Sequence, residues 1–502
     1  MGGRLAVQPG ASNDHENHWQ RNNILRTRFE MPKLQPIPSR FMLRHNERRA
    51  LLLIGDILTL IAALVMGLLI WSGGDETLRF SLDFLRNTPA WFFSLPIFWL
   101  VLISSLYDEN RAADWSQTLR VITFVAVIAL AFYSLIYFFN PPKSLPRRGV
   151  AGFIGSALVL NLLWRLIYIN VFTTPQFLRR VLLVGIGETG QIILRIITSM
   201  RPMPFVMIGI IDDDPEKINT EIMGLKVLGG NDRLLEIIHQ YDVTDLIVAI
   251  SGKMSGNMFQ ALLDAREMGV DVTRMPVVYE ELLKRVPIRY LEADWILRSF
   301  IDQVRVNVFS DLSKRLFDLL IASIGIIVSL PLYPLIALAI VLESGFPIIY
   351  TQIRMGRGAI HYSIYKFRTM RQDAESNGQP QWAEENDRRA TRVGLFLRKT
   401  HLDEIPQFFN VLKGEMSIVG PRAERPELVE WFQQHVPFYR ARLLVQPGIT
   451  GWAQVNQRYA ATIDETIEKL EYDLYYIKHR SLAMDLRVLL RTPAMIFGLK
   501  GR

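Results

Sequence analysis

The chain has 502 residues and a mass of 57.8 kDa, with 50% hydrophobic residues, a mean hydropathy of +0.16 and a formal net charge of +8. That balance is too apolar for an average soluble enzyme and too polar for a channel made only of membrane helices, so a mixed α/β membrane protein is expected. The absence of cysteine excludes disulfide scaffolds, zinc–cysteine sites, iron–sulfur clusters and thiol nucleophiles. A pI of about 9.5 suits an anionic membrane surface or phosphate-bearing substrates, and the apolar runs favour these over nucleic acid.

Residues 1–45 read as a polar, disordered tail without apolar period. Four apolar runs follow within 46–173, at about 50–71, 90–107, 120–139 and 150–172, each near the roughly 20 residues that cross a bilayer. A four-helix transmembrane bundle is expected. Asp56 and Arg165 are charges inside these runs that either pair within the bundle or sit near its interface. Arg40, Arg44, Arg48 and Arg49 before the first run, with Arg179 and Arg180 after the last, allow both ends to be cytosolic, with Lys143, Arg147 and Arg148 in the third loop arguing mildly against it.

Residues 178–305 read as a Rossmann-like α/β domain of the CoA-binding kind. Gly185, Gly187 and Gly190 have G-x-G-x-x-G spacing between an apolar strand and an amphipathic helix, and Asp212 ends the next strand where a ribose ligand is expected. The spacing alone is weak, because the same glycines serve a tight turn that binds nothing. This domain is expected to bind a nucleotide or to position its neighbours, not to do chemistry.

The run 316–342 is long enough to cross, yet Pro331 breaks its middle just after Ser329. A crossing would strand Arg354, Arg357, Lys366, Arg368 and Arg371 on the far side. A re-entrant helix that bends at Ser329–Pro331 and leaves on the cytosolic face resolves that conflict.

The last third carries the chemistry. In YKFRTM, Lys366 and Arg368 lie two apart, on one face of a strand, and Arg354 precedes them. In LRKTHLDEIPQ, Asp403 and Glu404 are adjacent and so point about 100° apart on a helix. They are not an equivalent facing pair: one can meet a reacting phosphorus while the other holds a metal or orients its partner. Arg398 and, in GPR, Arg422 supply guanidinium groups suited to phosphate oxygens. In QPGITGWAQVNQR, Gln454, Asn456 and Arg458 are polar contacts for a nucleotide or sugar. The final segment is amphipathic and basic, as interfacial helices are.

From KRLFDLLIASIGIIVSLP through YKFRTM, LRKTHLDEIPQFFNVLKGEMSIVGPR and QPGITGWAQV, the chain resembles the monotopic phosphoglycosyl transferases. More narrowly, it resembles the large exopolysaccharide-type polyprenyl glycosylphosphotransferases. The resemblance covers about 46–502 and implies a catalytic domain at 311–502. It implies transfer of a sugar 1-phosphate, glucose first and galactose second, from a UDP-sugar to undecaprenyl phosphate at the cytosolic face of a bacterial inner membrane. It further implies Mg²⁺, Asp403 as nucleophile and metal ligand, Glu404 as its partner, and Arg398 and Arg422 near the phosphates. A homodimer is a candidate assembly. Leu330 separates Ser329 from Pro331, Ala423 follows Gly-Pro-Arg, and Asn456-Gln457-Arg458 replaces a common Gly-Arg ending, all departures from the family pattern. Two rival readings are a membrane-anchored nucleotide-sugar dehydratase, which lacks its second glycine-rich motif here, and a non-enzymatic nucleotide-sensing scaffold.

Overall fold

The computed structural model describes residues 45–73, 80–107, 112, 114–140, 146–172, 178–200, 203–290, 308–371, 389–457 and 462–496. The polar tail up to residue 44 and Arg458 lie outside the described residues. The chain divides into two compact units, residues 1–274 and 275–502.

The first unit opens with α1 (His45–Ser72), the short α2 (Leu95–Leu102), α3 (Trp115–Phe139) and α4 (Arg147–Ile167), which runs on as a wider π-helical turn to Phe172. Three stretches, Ala50–Ser72, Trp115–Phe139 and Arg147–Phe172, are long and apolar enough to cross a membrane. The expected span at 90–107 is not one helix. A 3-10 turn (Ala90–Ser94) leads into α2, Ile103 ends it, and another 3-10 turn follows. The apolar helix Ala90–Leu102 reaches only about 20 Å at 1.5 Å per residue, short of a hydrocarbon core of about 30 Å. Among the described residues three helices are long enough to cross, and the run at 90–107 is a shorter, interrupted helix that carries the chain from Phe92 beside Trp71 back to Tyr107 beside Asp56, so a bundle of four full-length spans is not confirmed.

Asp56 and Arg165 pair across α1 and α4, Nη2 to Oδ2 at 2.7 Å, both side chains fully buried. The Tyr107 hydroxyl donates to the same oxygen at 2.8 Å, and Asn161 Nδ2 donates to Oδ1 at 3.2 Å. Of the two expectations for these charges, pairing inside the bundle holds. Arg48 donates to the Pro204 carbonyl at 3.3 Å, so the start of α1 and the α/β domain lie at the same end of the helices.

That domain is a six-stranded sheet in the order β3-β4-β2-β1-β5-β6. Its strands are β1 (Arg180–Val184), β2 (Val206–Ile211), β3 (Glu221–Ile222), β4 (Leu225–Gly229), β5 (Asp245–Val248) and β6 (Asp271–Arg274). Only β3 is antiparallel. β1 is buried along its whole length, as its unbroken apolar run requires of a strand covered on both faces. Helix α5 (Glu188–Ser199), α6 (Leu234–Tyr241) and α7 (Gly256–Glu267) supply the cover.

The second unit begins with a strap that includes α8 (Met275–Leu283). Val286 and Ile288 enter its core, and Lys478 Nζ donates to Glu280 at 2.9 Å. The compact units divide at 274, inside the stretch 178–305, and Val286, Ile288 and Glu280 have partners in the second unit. Next come α9 (Val308–Ser329) and α10 (Leu332–Ser344), bent by 61° at the break. This apolar pair starts eight residues earlier than the run 316–342 suggests. The Ser329 hydroxyl donates back to the Gly325 carbonyl at 2.6 Å, and Pro331 caps the start of α10. An antiparallel hairpin follows, β7 (Ile349–Met355) with β8 (His361–Phe367). Then come α11 (Arg392–Lys399), a 3-10 turn (Leu402–Glu404), α12 (Gln407–Lys413) and β9 (Ser417–Val419). β10 (Gly448–Thr450) pairs with β9 in parallel, and α13 (Ile463–Lys478) and α14 (Leu482–Ile496) close the unit. Ile364, Val411, Ile418, Trp452, Leu474 and Val488 knit these elements into one core.

Candidate active site

Four local devices bring the polar motifs together. Glu343, at the end of α10, accepts from the backbone N–H groups of Arg392 and Val393 at 2.7 and 2.8 Å, and Thr391 caps Gly394, so α11 starts against the bent helix pair. After α11, His401 takes the left-handed conformation (φ 56°) that usually calls for glycine, and turns the chain into Leu402–Glu404. Asn410, fully buried on α12, accepts from Tyr365 N–H at 3.0 Å and donates to the Ser363 carbonyl at 2.7 Å. That tie holds α12 against β8. Finally, Gly420 and Gly448 let two backbones meet: a Cβ on Gly448 would lie 2.1 Å from Gly420 N. The glycines of QPGITG therefore serve close approach.

The result is an asymmetric carboxylate pair, both members buried. Glu404 Oε1 accepts from Lys366 Nζ at 2.7 Å and from Arg422 Nη2 at 2.8 Å. Those two cations hold its carboxyl well below the usual range against the opposing cost of burial, and Glu404 in turn pushes Arg422 up. Asp403 is the opposite case. Burial, with the neighbouring Glu404 charge, raises it, and among the described residues its carboxylate accepts no hydrogen bond. Glu404 is a fixed anion, while Asp403 keeps both oxygens for something else.

That donor set fits a hard divalent cation. Among the described residues, both oxygens of Asp403 and Oε2 of Glu404 accept no hydrogen bond, and Mg²⁺ is bound by one or two carboxylates completed by water and phosphate oxygens. No group of three or more acidic or imidazole side chains occurs among the described residues, so the protein alone offers no closed cage.

The other expected site residues divide. Lys366 and Arg422 meet on Glu404. Arg368 does not share their face: it lies just beyond β8, and its Nη2 donates to the Ser344 and Gly345 carbonyls at the end of α10. Its Nε and Nη1 are buried with no partner. Arg398 Nε donates to Thr369 at 2.9 Å, beside Arg368. Arg354 is half-buried, donating to the Ala423 carbonyl and to Gln352, and desolvation lowers it. Gln454 turns its amide back to Ile449, and Asn456 accepts from Arg491. Missed altogether was Arg442, whose Nη2 donates to the Arg422 carbonyl at 2.9 Å and to Asp473 at 3.0 Å, beneath the site. No spacing in the sequence signals it.

In the first unit, Gly185 has φ 92° and a Cβ on Gly190 would lie 2.2 Å from the Gly185 carbonyl oxygen, so turn and helix pack as the motif requires. Asp212, however, accepts from the Ile186 and Asp214 N–H groups at 2.8 and 3.0 Å. Its carboxylate is engaged in holding the turn.

Residues 309–498 match the bacterial sugar transferase family, and residues 103–276 match a CoA-binding domain. The chain is 48% identical over 179 residues to a UDP-N-acetylgalactosamine-undecaprenyl-phosphate N-acetylgalactosaminephosphotransferase of Aeromonas hydrophila, covering 36% of this chain and 42% of that one. It is 33% identical over 287 residues to a UDP-glucose:undecaprenyl-phosphate glucose-1-phosphate transferase of Xanthomonas campestris pv. campestris, covering 55% and 58%. Against a protein of the same printed name from Caulobacter vibrioides it is 41% identical over 197 residues, covering 38% and 72%. The chain thus spans about half the length of the first two relatives.

Proposed function

This chain belongs to the bacterial sugar transferase family, the polyprenyl glycosylphosphotransferases, and we propose that its second unit moves a sugar 1-phosphate from a UDP-sugar to undecaprenyl phosphate, releasing UMP. The observation that carries this reading is the asymmetric pair: Asp403 buried and without a hydrogen bond among the described residues, beside Glu404 locked by Lys366 and Arg422. A desolvated carboxylate with free lone pairs is a nucleophile, and a pinned neighbouring anion keeps two cations in place for phosphate charge.

The proposed chemistry is two displacements. An Asp403 oxygen attacks the phosphorus that bears the sugar; the bond from that phosphorus to the UMP oxygen breaks, and UMP leaves with the electron pair. An oxygen of undecaprenyl phosphate then attacks the same phosphorus, and the Asp403 carboxylate departs unchanged. Lys366, Arg422 and Arg398 neutralise phosphate oxygens as charge shifts between them. Mg²⁺, held by Asp403 with Glu404 alongside, would supply Lewis-acid neutralisation of the phosphates. Splitting the transfer lets UMP leave before the lipid phosphate enters, so the site holds the diphosphate and the lipid phosphate in turn rather than together.

We place the site at the membrane surface on the cytosolic face of a bacterial inner membrane, with α9 and α10 forming a re-entrant pair. The 61° bend and the basic residues on both sides of it support that reading. Glucose is the first sugar of the proposal, with N-acetylgalactosamine and galactose beside it, since relatives are named for the first two.

The test is UMP release from a panel of UDP-sugars, with and without undecaprenyl phosphate. About one equivalent of UMP per chain should appear without lipid, together with a phosphosugar adduct on Asp403, and Asp403→Asn should abolish both. UMP release that strictly needs the lipid, or an Asp403→Asn variant within about tenfold of the parent (about 1.4 kcal/mol of barrier), would sink the covalent route.

A further inference from the structure

The second unit contains a cavity of about 150 Å³ that shares no lining residue with the Asp403 site. Its wall is built by helical spacing. Asp311, Lys314, Arg315 and Asp318 recur on one face of α9 and line it, joined by Arg357 from the β7–β8 turn and Arg480 after α13. Phe309, Leu312, Leu316 and Leu320 occupy the opposite face of the same helix and are exposed. The cavity and the apolar surface thus lie on opposite faces of the start of α9, a helix about 10–12 Å across.

The lining carries four cations against two carboxylates, and the cations differ in what they have left to offer. Lys314 is fully committed: its ammonium meets Asp318 at 3.1 Å, Asp485 at 2.9 Å and the Val419 carbonyl at 3.3 Å. Arg315 uses one N–H of each terminal nitrogen, on the Val411 and Leu412 carbonyls at 2.7 and 2.8 Å. Arg480 reaches Asp311 through Nη2 alone. Arg357 is exposed and its guanidinium has no hydrogen bond or ion pair among the described residues. Three guanidinium groups therefore converge with unused donors in the fork geometry that suits phosphate. On the same wall, Asp318 Oδ2 is buried with no hydrogen-bond partner among the described residues, while its Oδ1 takes Ser417, Ile418 and Lys314. An acceptor beside a phosphate cradle suits a hydroxyl next to the phosphate. A cavity of this size holds a molecule as large as benzene, so a phosphate group fits.

We propose that this cavity binds a phosphate group with an adjacent hydroxyl, presented as the headgroup of an anionic phospholipid whose acyl chains reach around α9 to its exposed apolar face. The inference is independent of the catalytic reading, because it uses none of that site's residues.

The test uses the full chain in nanodiscs of phosphatidylcholine with or without phosphatidylglycerol, with native mass spectrometry counting retained lipid. The parent should retain phosphatidylglycerol over phosphatidylcholine. Arg357→Gln should weaken that preference about tenfold, equivalent to about 1.4 kcal/mol, and Arg357→Gln/Arg480→Gln should remove it. Asp403→Asn should leave it intact. Because the Arg357 side chain holds no partner among the described residues, its variant should melt with the parent in pure phosphatidylcholine. Equal retention of the two lipids, or a preference unchanged in Arg357→Gln, overturns the proposal. Protection by inorganic phosphate in phosphatidylcholine discs, lost in Arg357→Gln and without any lipid preference, overturns the lipid source and assigns the site to a soluble phosphate.

Discussion

Lys366→Met isolates one half of the clamp on Glu404. Methionine keeps the apolar stem and removes the ammonium, leaving a carboxylate that is only 10% exposed with Arg422 as its remaining partner. Taking one partner from a buried pair costs about 3–5 kcal/mol. Arg422 offsets part of that, but its side chain is 41% exposed, so solvent weakens its contribution to about 1–2 kcal/mol. A net loss of about 2–3 kcal/mol follows, or a fall in melting temperature of about 4–12 °C for a unit of this size. Arg422→Met removes the more solvated cation and should cost less, about 1 kcal/mol. The clamp also fixes a pH signature. Glu404 is depressed below its ordinary 4.5, so its stabilisation is present above about pH 4.5 and is lost as pH falls further. The gap between parent and Lys366→Met should therefore be widest near pH 7 and narrow in acid. Thermal unfolding in nanodiscs across pH 3–8 reads all of this. A Lys366→Met melt within 2 °C of the parent, or a larger loss from Arg422→Met, would refute the reasoning.

Three further outcomes are expected. Glu471 sits under Tyr279 and beside Arg285, and burial pushes its carboxyl up to about 7. It therefore favours folding below about pH 4.5 and loses up to about 3 kcal/mol as pH rises through 7, so Glu471→Gln should melt above the parent at pH 8 and converge with it near pH 5. His401→Gly should stay within about 0.5 kcal/mol of the parent in unfolding, whereas His401→Val, β-branched in a left-handed position, should lose about 2 kcal/mol; equal melts for the two would contradict the strain argument. A chain beginning at Asp311 keeps every proposed catalytic residue but drops the strap, uncovering the Val286 and Ile288 sites at about 1.5–3 kcal/mol each. It should be digested by trypsin far faster than one beginning at Met275, and equal resistance would show the strap to be dispensable.

What could be read from the sequence follows the physics of each signal. Asp403, Glu404 and the arginines stand out because phosphate chemistry needs those residue types close together, and the glycine turn because its spacing is local. The bend at Ser329–Pro331 is legible for the same reason: proline acts on its own four residues. Long-range geometry is not legible in this way. That Lys366 reaches Glu404 while Arg368, two residues on, holds the end of α10 depends on where β8 stops. Arg442 is hidden because its partner is the backbone of Arg422. The short α2 reads as a span by composition, and only its broken helical geometry shortens it. The strap escapes notice because Val286 and Ile288 look like ordinary domain-end residues until the core they enter is known.

The buried Asp56–Arg165 pair bears on how such a chain is made. The two residues are 109 positions apart, which at 5–20 residues per second is about 5–20 s of synthesis. During that interval α1 holds a carboxylate whose cation does not yet exist, at a cost below the roughly 2.5–3.5 kcal/mol of an acid at a helix centre in lipid, since Asp56 lies in the first third of the span. Insertion one helix at a time would release α1 into lipid in its least favourable form. The favourable course is for α1 to wait at the insertion machinery until α4 emerges and the two leave as a neutral antiparallel pair, so the last helix of the set commits the first.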